Sequence, residues 1–408
     1  MNFDDSPAEA EYRATVRAWI EANGPDLSVL APEERRAWHD KHKEIARVWQ
    51  ATKADAGYAC ISWPKARGGA GGTAIDEAIF NQEEARAGLQ FTYFMTGLHM
   101  LLPPLMEFSA DPESLARVAP AVRGDEIWCQ LFSEPSSGSD SAATRTMAVR
   151  VGDDWVLNGQ KVWNSGAHAA DYGMVIARTD PEVPKHKGLS AFWLDMKTPG
   201  LEVRPIKMMS GDSELNEVFL ENVRIPANQM VGAPGDGWKV VISTLMNERA
   251  ALGSGTGLGW RDVMEIARRS PAFDGSTLED PAFREWLADY YVNAEAIRLL
   301  SFRTLTALSH GKAPGPEGSA GKLLWATQTQ ELTNQALDIQ DAFGLIDDPD
   351  IALLNGGFQH RFMWAPALRL GGGTDEIMKN IIAERVLGLP GDVRVDKAVP
   401  FREIPTGR

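Results

Sequence analysis

Apolar positions recur at spacings of three and four over most of the first ~125 residues, the period of an α-helix with one buried face. In AEAEYRATVRAWIEAN, Tyr12, Val16, Trp19 and Ile20 fall on one side, and Asn23-Gly24-Pro25 ends the run. A second helix is predicted from about Pro32 through PEERRAWHDKHKEIARVWQATKADAG, with acidic residues at its start and Gly57 after its end. SWPKARGGAGGTA reads as a loop, IDEAIFNQEEARAG resumes the helical period, and LARVAPAVRGDEIW closes the region with a turn at Gly124.

Between about Ile127 and Gly237 the pattern changes to short β-rich runs separated by turn residues. The runs are TMAVRVG, DWVLNGQKVW, YGMVIART, LSAFWLDM, LEVRPI and NEVFLENVRIP, and VGDDW and LNGQ read as tight turns. Beyond Gly237 the helical period returns in four long stretches. The first is read as one continuous helix through WKVVISTLMNERAALGSGTGLGWRDVMEIARRS. PAFREWLADYYVNAEAIRLLSFRTLTALSHG, GSAGKLLWATQTQELTNQALDIQDAFG and TDEIMKNIIAERVLGLP follow, with a linker over Lys312 to Gly321. The fold class expected is a multidomain α+β chain. Its parts are an N-terminal all-α domain (1–127), a middle antiparallel β-barrel or sandwich (128–238), a C-terminal four-helix bundle (239–392) and an irregular tail (393–408).

Composition narrows the function classes. The 408 residues carry 41 Lys and Arg against 56 Asp and Glu, a net charge of −15, and no basic run, so nucleic acid is a poor partner. No apolar stretch approaches the ~18 residues of a membrane helix, and the acidic N-terminus is unlike a signal peptide. Cys60 and Cys129 are too few for a disulfide framework, and a reduced, cytoplasmic setting is expected.

Four segments carry candidate chemistry. QLFSEPSSGSD, residues 130–140, offers hydroxyls and backbone donors suited to a polar heterocycle or a phosphate, and equally suits a plain surface loop. NGQKVWNSGA, residues 158–167, places Trp163 and Ser165 where a flat ring is stacked and hydrogen-bonded; taken alone, Trp163 reads as a core aromatic. LGGGTDEI, residues 370–377, leads three glycines into a helix N-terminus with Thr374 as a natural cap. Glu248, in the NER of residues 247–249, lies in an apolar, small-residue stretch; partial desolvation makes a carboxylate a better base, and a solvated helix face is the alternative. Gly69-x-Gly71-x-x-Ala74 lacks a surrounding βαβ unit, P-loop, HExxH and GxSxG motifs are absent, and His39 and His42 have no acidic or cysteine partners at metal-ligand spacing.

Together these pieces resemble the acyl-CoA dehydrogenase family of flavoenzymes over nearly the whole chain. SEPSSGSD is similar to that family's TEP-x-AGSD flavin-binding stretch, NGQKVWNSGAHAAD to its NG-x-K-x-W-x-T strand, and GGGTDEIMKNIIAERVLG to its closing helix. GYACISWPKARGGAGG and LEVRPIKMMSGDSELNEVFLENVRIP match further family segments.

The resemblance implies FAD as cofactor. Leu131, Phe132, Ser133, Gly138 and Ser139 are implied on the flavin, Trp163, Asn164 and Ser165 beside its ring, and Thr374, Asp375 and Glu376 from the last helix. Ser139 is also expected to meet the pantetheine arm of a CoA thioester, with Met246, Asn247, Arg249, Gly372 and Gly373 lining the substrate. The implied reaction is α,β-dehydrogenation to the trans-2-enoyl-CoA: a carboxylate removes the α-proton while flavin N5 accepts the β-hydride. The family's usual base is the Glu of a Tyr-Glu-Gly-Thr run, and the matching position here is Gly372. In the isovaleryl-CoA and long-chain branches the base is a Glu directly before an Arg on the neighbouring helix, which Glu248-Arg249 matches. Glu248 is therefore the expected base, and Gly372 is expected to leave room for bulky acyl groups.

The runs that bind the ADP half of FAD from a neighbouring subunit are degraded, to ARRSPAFDGS and to Gln340-Asp-Ala-Phe-Gly344. The expectation is the base-carrying subunit of an α₂β₂ heteromer, with a homotetramer as the other assembly and electron-transferring flavoprotein as electron acceptor. A non-catalytic structural subunit and a same-fold oxygen-using oxidase or monooxygenase are the competing functions.

Overall fold

The computed structural model describes residues 5–31, 34, 38–252, 258–272, 275–309, 315–394 and 396–404; the side chains of 249–252, 271–276, 305, 308 and 309 lie outside the description. The chain separates into two compact units, residues 1–208, 212–247 and 393–408 in the first, and 209–211 and 248–392 in the second.

In the first unit, α1 (Pro7–Asn23) starts at a capping box of Ser6 and Glu9 with Pro7 in its first turn, and ends where the Gly24 N–H returns to the Ile20 carbonyl. Its apolar face buries Val16 and Ile20 against Trp49 of α2 (Asp40–Asp55) and Phe80 of α3 (Ala74–Arg86). The predicted start of α2 at Pro32 falls outside the described residues. The helix itself begins at Asp40, because Trp38 has φ 68° and His39 is its extended N-cap, so His39 and His42 do not share a helical face. GGAGG is a loop, as expected. A π-helical turn (Thr96–Leu101) and α4 (Leu102–Phe108) form where no element was foreseen; LHMLL is apolar on all sides and carries no period to read. The short helices α5 (Pro112–Ala116) and α6 (Val118–Arg123) end at Gly124 with φ 86°.

One ion cluster joins the first helix to the third. Glu83, 4% exposed, accepts from Arg17 Nε at 2.8 Å, Arg13 Nη1 at 3.2 Å and Arg86 Nε at 3.0 Å. The Arg17 hydrogen bond, with those of Arg13 and Arg86, outweighs burial and pulls the carboxyl down to about 2 from an ordinary 4.5. A carboxyl with a depressed folded pKa contributes stability that is present above its unfolded value and lost as pH falls through the folded one. Thermal stability is expected to fall as pH drops from 4.5 to about 2, and Glu83→Gln to flatten that dependence. Equal slopes for both proteins over that range would count against the clamp.

All six foreseen β-runs form strands. They are β2 (Met147–Val151), β3 (Asp154–Val162), β4 (Tyr172–Arg178), β5 (Leu189–Asp195), β6 (Leu201–Pro205) and β7 (Asn216–Pro226), with β1 (Trp128–Leu131) and β8 (Met230–Val231) added. The eight-stranded sheet runs β6-β7-β3-β2-β4-β5-β8 and is antiparallel except where β4 pairs parallel with β1 and, at one residue, with β2. VGDDW is the β2–β3 turn. LNGQ is not a turn: it lies within β3, where the register against β7 shifts between Leu157 and Gly159, and Asn158 Oδ1 accepts from the Asn222 N–H across that bulge. One face of the sheet packs on α4, α6 and the start of α7 (Gly237–Leu252), burying Trp128, Met174, Trp193, Val240 and Val241; the other encloses Leu157, Val175, Phe192 and Val223.

The second unit is helical. The single long helix expected after Gly237 is two, α7 and α8 (Trp260–Arg269), because Gly259 is extended; residues 253–257 lie outside the description. Then come α9 (Pro281–Ser309), α10 (Gly318–Asp338), α11 (Gly357–Leu368) and α12 (Asp375–Ile381), the last continued by a π-turn, Ile382–Val386. Part of the foreseen linker, Gly318 to Gly321, is already helix, and α11 was not foreseen, since FQHRFMWAPAL bunches its polar residues at 359–361, without a helical period, and carries Pro366. Val263, Ile266, Phe283, Leu332, Ala336 and Phe358 form this unit's core. Among the described residues, no helix is long and apolar enough to cross a membrane.

Candidate active site

In the first unit, the SEPSSGSD loop and the end of β3 are held together by a buried cation. Lys161, fully buried, donates through Nζ to Glu134 Oε1 at 2.8 Å, Phe132 O at 3.0 Å and Ile176 O at 2.8 Å. Glu134 accepts in turn from the N–H groups of Arg145 and Thr146 at 2.7 and 2.9 Å. Burial disfavours both charges, but the attraction of Lys161, with those hydrogen bonds, holds the Glu134 carboxyl below its ordinary range. The Val162 N–H donates to Ser133 O at 3.0 Å, and Asn164 Nδ2 to Gln130 O at 2.8 Å. Leu131, Phe132, Ser133, Trp163, Asn164 and Ser165 are thus brought onto one patch.

Trp163 is not a core aromatic. It is 59% exposed, with φ 65°. A non-glycine residue in the left-handed region costs about 1 kcal/mol or more and persists only where its surroundings impose it. Here they do. The Asn164 N–H donates to Asn216 O at 3.1 Å, Asn216 Nδ2 returns to Asn164 O at 2.8 Å, and the Gly166 N–H binds Glu214 O at 2.9 Å. Gly166, at φ 66°, lies against the Trp38 ring, which a Cβ there would approach to 2.0 Å. In the loop tied to this strand end, the N–H groups of Ser133, Gly138 and Ser139 have no protein acceptor among the described residues, and Asn164 Oδ1, next to Trp163 in the chain, is buried without a donor among them. An exposed indole, with unused donors and an unused acceptor, fits a flat, polar ring system such as the isoalloxazine of FAD. Ser139 and Gly138 are exposed at the outer end of the loop.

In the second unit, the three-glycine turn is pinned from three sides. Gly372 and Gly373 have φ 67° and 95°, and Thr374 caps α12 by accepting from the Ile377 N–H at 3.3 Å. Asp375, 5% exposed, pairs with Arg369, whose Nη1 also donates to Gln330 Oε1 at 3.1 Å. Glu376 is exposed. Lys322 of α10, 4% exposed, donates to the Gly373 carbonyl. Burial pushes the Lys322 ammonium down, while the charges of Asp375 and Glu248 reach it and push the other way. Glu248 is half-buried on α7, after Met246 and Asn247, and Asn247 Nδ2 is occupied by Ser243 O at 3.0 Å. The Arg249 side chain lies outside the described residues. Lys322 and Arg369 were missed as site residues. The only signal for Lys322 was a lone cation inside the small, apolar run GSAGKLLWA, and for Arg369 its place just before the glycines.

Family models described as the N-terminal, middle and C-terminal domains of acyl-CoA dehydrogenase match residues 6–122, 129–223 and 235–387. Acyl-CoA dehydrogenase IpdE1 of Mycolicibacterium smegmatis is 37% identical over 94% of this chain and 98% of its own length. Acyl-CoA dehydrogenase FadE34 of Mycobacterium tuberculosis is also 37% identical over 92% of this chain, which spans about half (49%) of that protein. Among solved structures, the Tcur3481-Tcur3483 steroid ACAD superposes with a TM-score of 0.81 at 29% identity, covering 96% of this chain and 100% of that one. The ChsE4-ChsE5 complex of Mycobacterium tuberculosis gives 0.79 at 27% identity, with 96% and 100% covered.

Proposed function

This chain belongs to the acyl-CoA dehydrogenase family, oxidoreductases whose cofactor is FAD, and we propose that it α,β-dehydrogenates a bulky acyl-CoA thioester with Glu248 as base. One observation carries the assignment. The Lys322 ammonium is anchored on the Gly373 carbonyl and the charge of Glu248 acts on it, which supports assigning that carboxylate to a turn whose residue 372 offers none.

FAD, when bound, supplies the acceptor for the β-hydride. The protein's own groups do the rest. Glu248 takes the α-proton. Lys322 is the cation on which the charge of Glu248 acts. Ser133, Gly138 and Ser139 offer N–H groups, Trp163 and Asn164 a ring face and an acceptor, and Ser165 a hydroxyl; Ser139 is also assigned to the pantetheine arm. Thr374, Asp375 and Glu376 are assigned to the cofactor, Asp375 through the turn that it anchors. Met246, Asn247, Arg249, Gly372 and Gly373 are assigned to the substrate, and the absent side chain at Gly372 suits a bulky acyl group. A relative named as a steroid ACAD supports a steroid side-chain thioester as the first substrate class to try.

We further assign the chain to a heteromer, as the base-carrying subunit. Gln340, where the family's ADP-binding run begins, is 4% exposed and turned back onto Ala336 O at 2.7 Å, and Arg268 and Arg269 are engaged by Glu265. Gln340 Nε2 and the two guanidinium groups thus have partners within the chain, and a relative solved as a two-protein complex supports a second subunit in that role. The setting is taken as cytoplasmic and the electron acceptor as electron-transferring flavoprotein.

Co-expression with the genomic neighbour, followed by FAD stoichiometry and anaerobic titration with acyl-CoA thioesters, tests the reading. The expected result is substoichiometric FAD in the chain purified alone, full loading in the complex, and bleaching of the bound flavin by bulky thioesters. One FAD per chain with full activity alone would overturn the heteromer. Fast peroxide release without an electron-transferring flavoprotein would select an oxidase, and a flavin that no thioester bleaches would select a structural subunit.

A further inference from the structure

The irregular tail is placed against the first unit by a specific set of contacts. Pro400 forms a β-bridge with Pro184, the Phe401 N–H donates to Val183 O at 3.0 Å, and the Arg402 N–H to Pro181 O at 3.1 Å. Phe401 is 9% exposed, and the centre of its ring lies 3.4 Å from Cζ of Arg178. Arg178 is fully buried and spends its guanidinium on three carbonyls, Thr144 O at 3.0 Å, Ala142 O at 2.7 Å and Lys185 O at 3.1 Å. Lys185, 3% exposed, joins two carboxylates through Nζ, Asp140 Oδ2 at 2.6 Å and Asp396 Oδ2 at 2.5 Å.

We propose that residues 396–404 form a strap that positions the loop carrying Ser139 and Asp140, with Asp396, Lys185, Arg178 and Phe401 as its positioning residues. The strap reaches the loop by two routes. One is ionic, from Asp396 through Lys185 to Asp140. The other is stacked, from Phe401 through Arg178 to the carbonyls of Ala142 and Thr144.

The loop needs an external restraint. Its Ser-Ser-Gly-Ser composition gives the backbone little intrinsic preference, so ordering it is entropically costly. Its internal bonds are short-range, Ser137 Oγ to Asp140 O at 2.8 Å and Ser141 Oγ to Gly138 O at 3.0 Å. The aromatic face of Phe401 compensates a guanidinium that has exchanged water for neutral carbonyls, which gives the tail a reason to dock there. The tail follows the helical unit in sequence, so changes within residues 396–404 act on a loop about 250 residues earlier in the chain.

What the loop holds, FAD and the pantetheine arm, rests on the proposed function; that the strap holds the loop does not. The test uses the FAD-loaded chain, in its complex where one forms, comparing wild type with Phe401→Ala, Lys185→Met and, as a control on an exposed ion pair outside the strap, Arg204→Ala, which breaks Arg204–Glu202. Hydrogen exchange is followed over residues 137–146, with KM and kcat for the best thioester measured alongside. Phe401→Ala and Lys185→Met are expected to speed exchange of those amides by at least about tenfold and to raise KM by a similar factor. Their kcat should stay within about twofold of wild type, and Arg204→Ala should change neither reading. Unchanged exchange over 137–146, while residues 396–404 are released, overturns the strap. Faster exchange with unchanged KM overturns its link to the substrate. Should Lys185→Met not fold, Phe401→Ala decides alone. Should wild type turn over no thioester, the catalytic reading fails while the exchange comparison still decides the strap.

Discussion

Glu248→Gln is expected to lower kcat by about 10²–10⁴-fold, the range that a positioned general base supplies, with FAD content unchanged. The amide keeps the shape of the carboxylate and removes its basicity. Binding is expected to survive because the substitution keeps the size of the side chain and leaves the groups that hold Trp163, Asn164 and the 130–140 loop in place. The signature is a split: slow anaerobic bleaching of a normally loaded flavin, with KM close to wild type. Wild-type bleaching in the loaded variant would refute the base assignment. Gly372 does not offer a clean place to restore the carboxylate, because its φ of 67° penalises any side chain by about 1–2 kcal/mol. The left-handed turn is therefore a second reason for a glycine at this position, independent of the size of the acyl group.

Lys161→Met is expected to be the most destabilising single change, at about 3–5 kcal/mol. Removing the ammonium leaves Glu134 charged and buried, and it strands the carbonyls of Phe132 and Ile176. The loop of residues 132–137 is fastened to β3 through this group, so FAD retention should fall together with the urea midpoint. The double variant Lys161→Met/Glu134→Gln should be more stable than Lys161→Met alone, because the unpaired charge is gone while the amide oxygen still accepts from Arg145 or Thr146. A single variant within about 1 kcal/mol of wild type would show that the pair is not what holds the loop.

Much of the architecture was legible from the chain because strong periodicity marks half-buried elements. The alternation in β3 and β7 and the one buried face each of α1 and α3 correspond to surfaces with one side in the core, whereas β4 and β5 are short continuous apolar runs buried on both faces. The failures share a cause. The π-turn and α4 over residues 96–108 are apolar on nearly all sides, and α11 over 357–368 bunches its polar residues at 359–361, so no helical period distinguishes their faces. LNGQ has the composition of a hairpin turn, but its strand is claimed by β7 on one side and β2 on the other, and the local preference yields a bulge instead. The start foreseen for α2 was overridden at Trp38, whose N–H is taken by the Tyr93 hydroxyl at 2.8 Å.

Sequence by itself determined the order of helical, β and helical segments, the family, and with it FAD as cofactor, because these depend on local periodicity and on motifs of adjacent residues. It also supplied the pair of positions, 248 and 372, on which the catalytic reading turns. Only the tertiary structure decided that Trp163 faces outward in a left-handed conformation, that Lys161 and Glu134 meet in a buried pair, that Lys322 is anchored on the Gly373 carbonyl, and that the tail returns to residues 181–185. Each of these brings together groups far apart in the chain. Their energies come from burial and charge pairing, which exist only once the distant segments have packed.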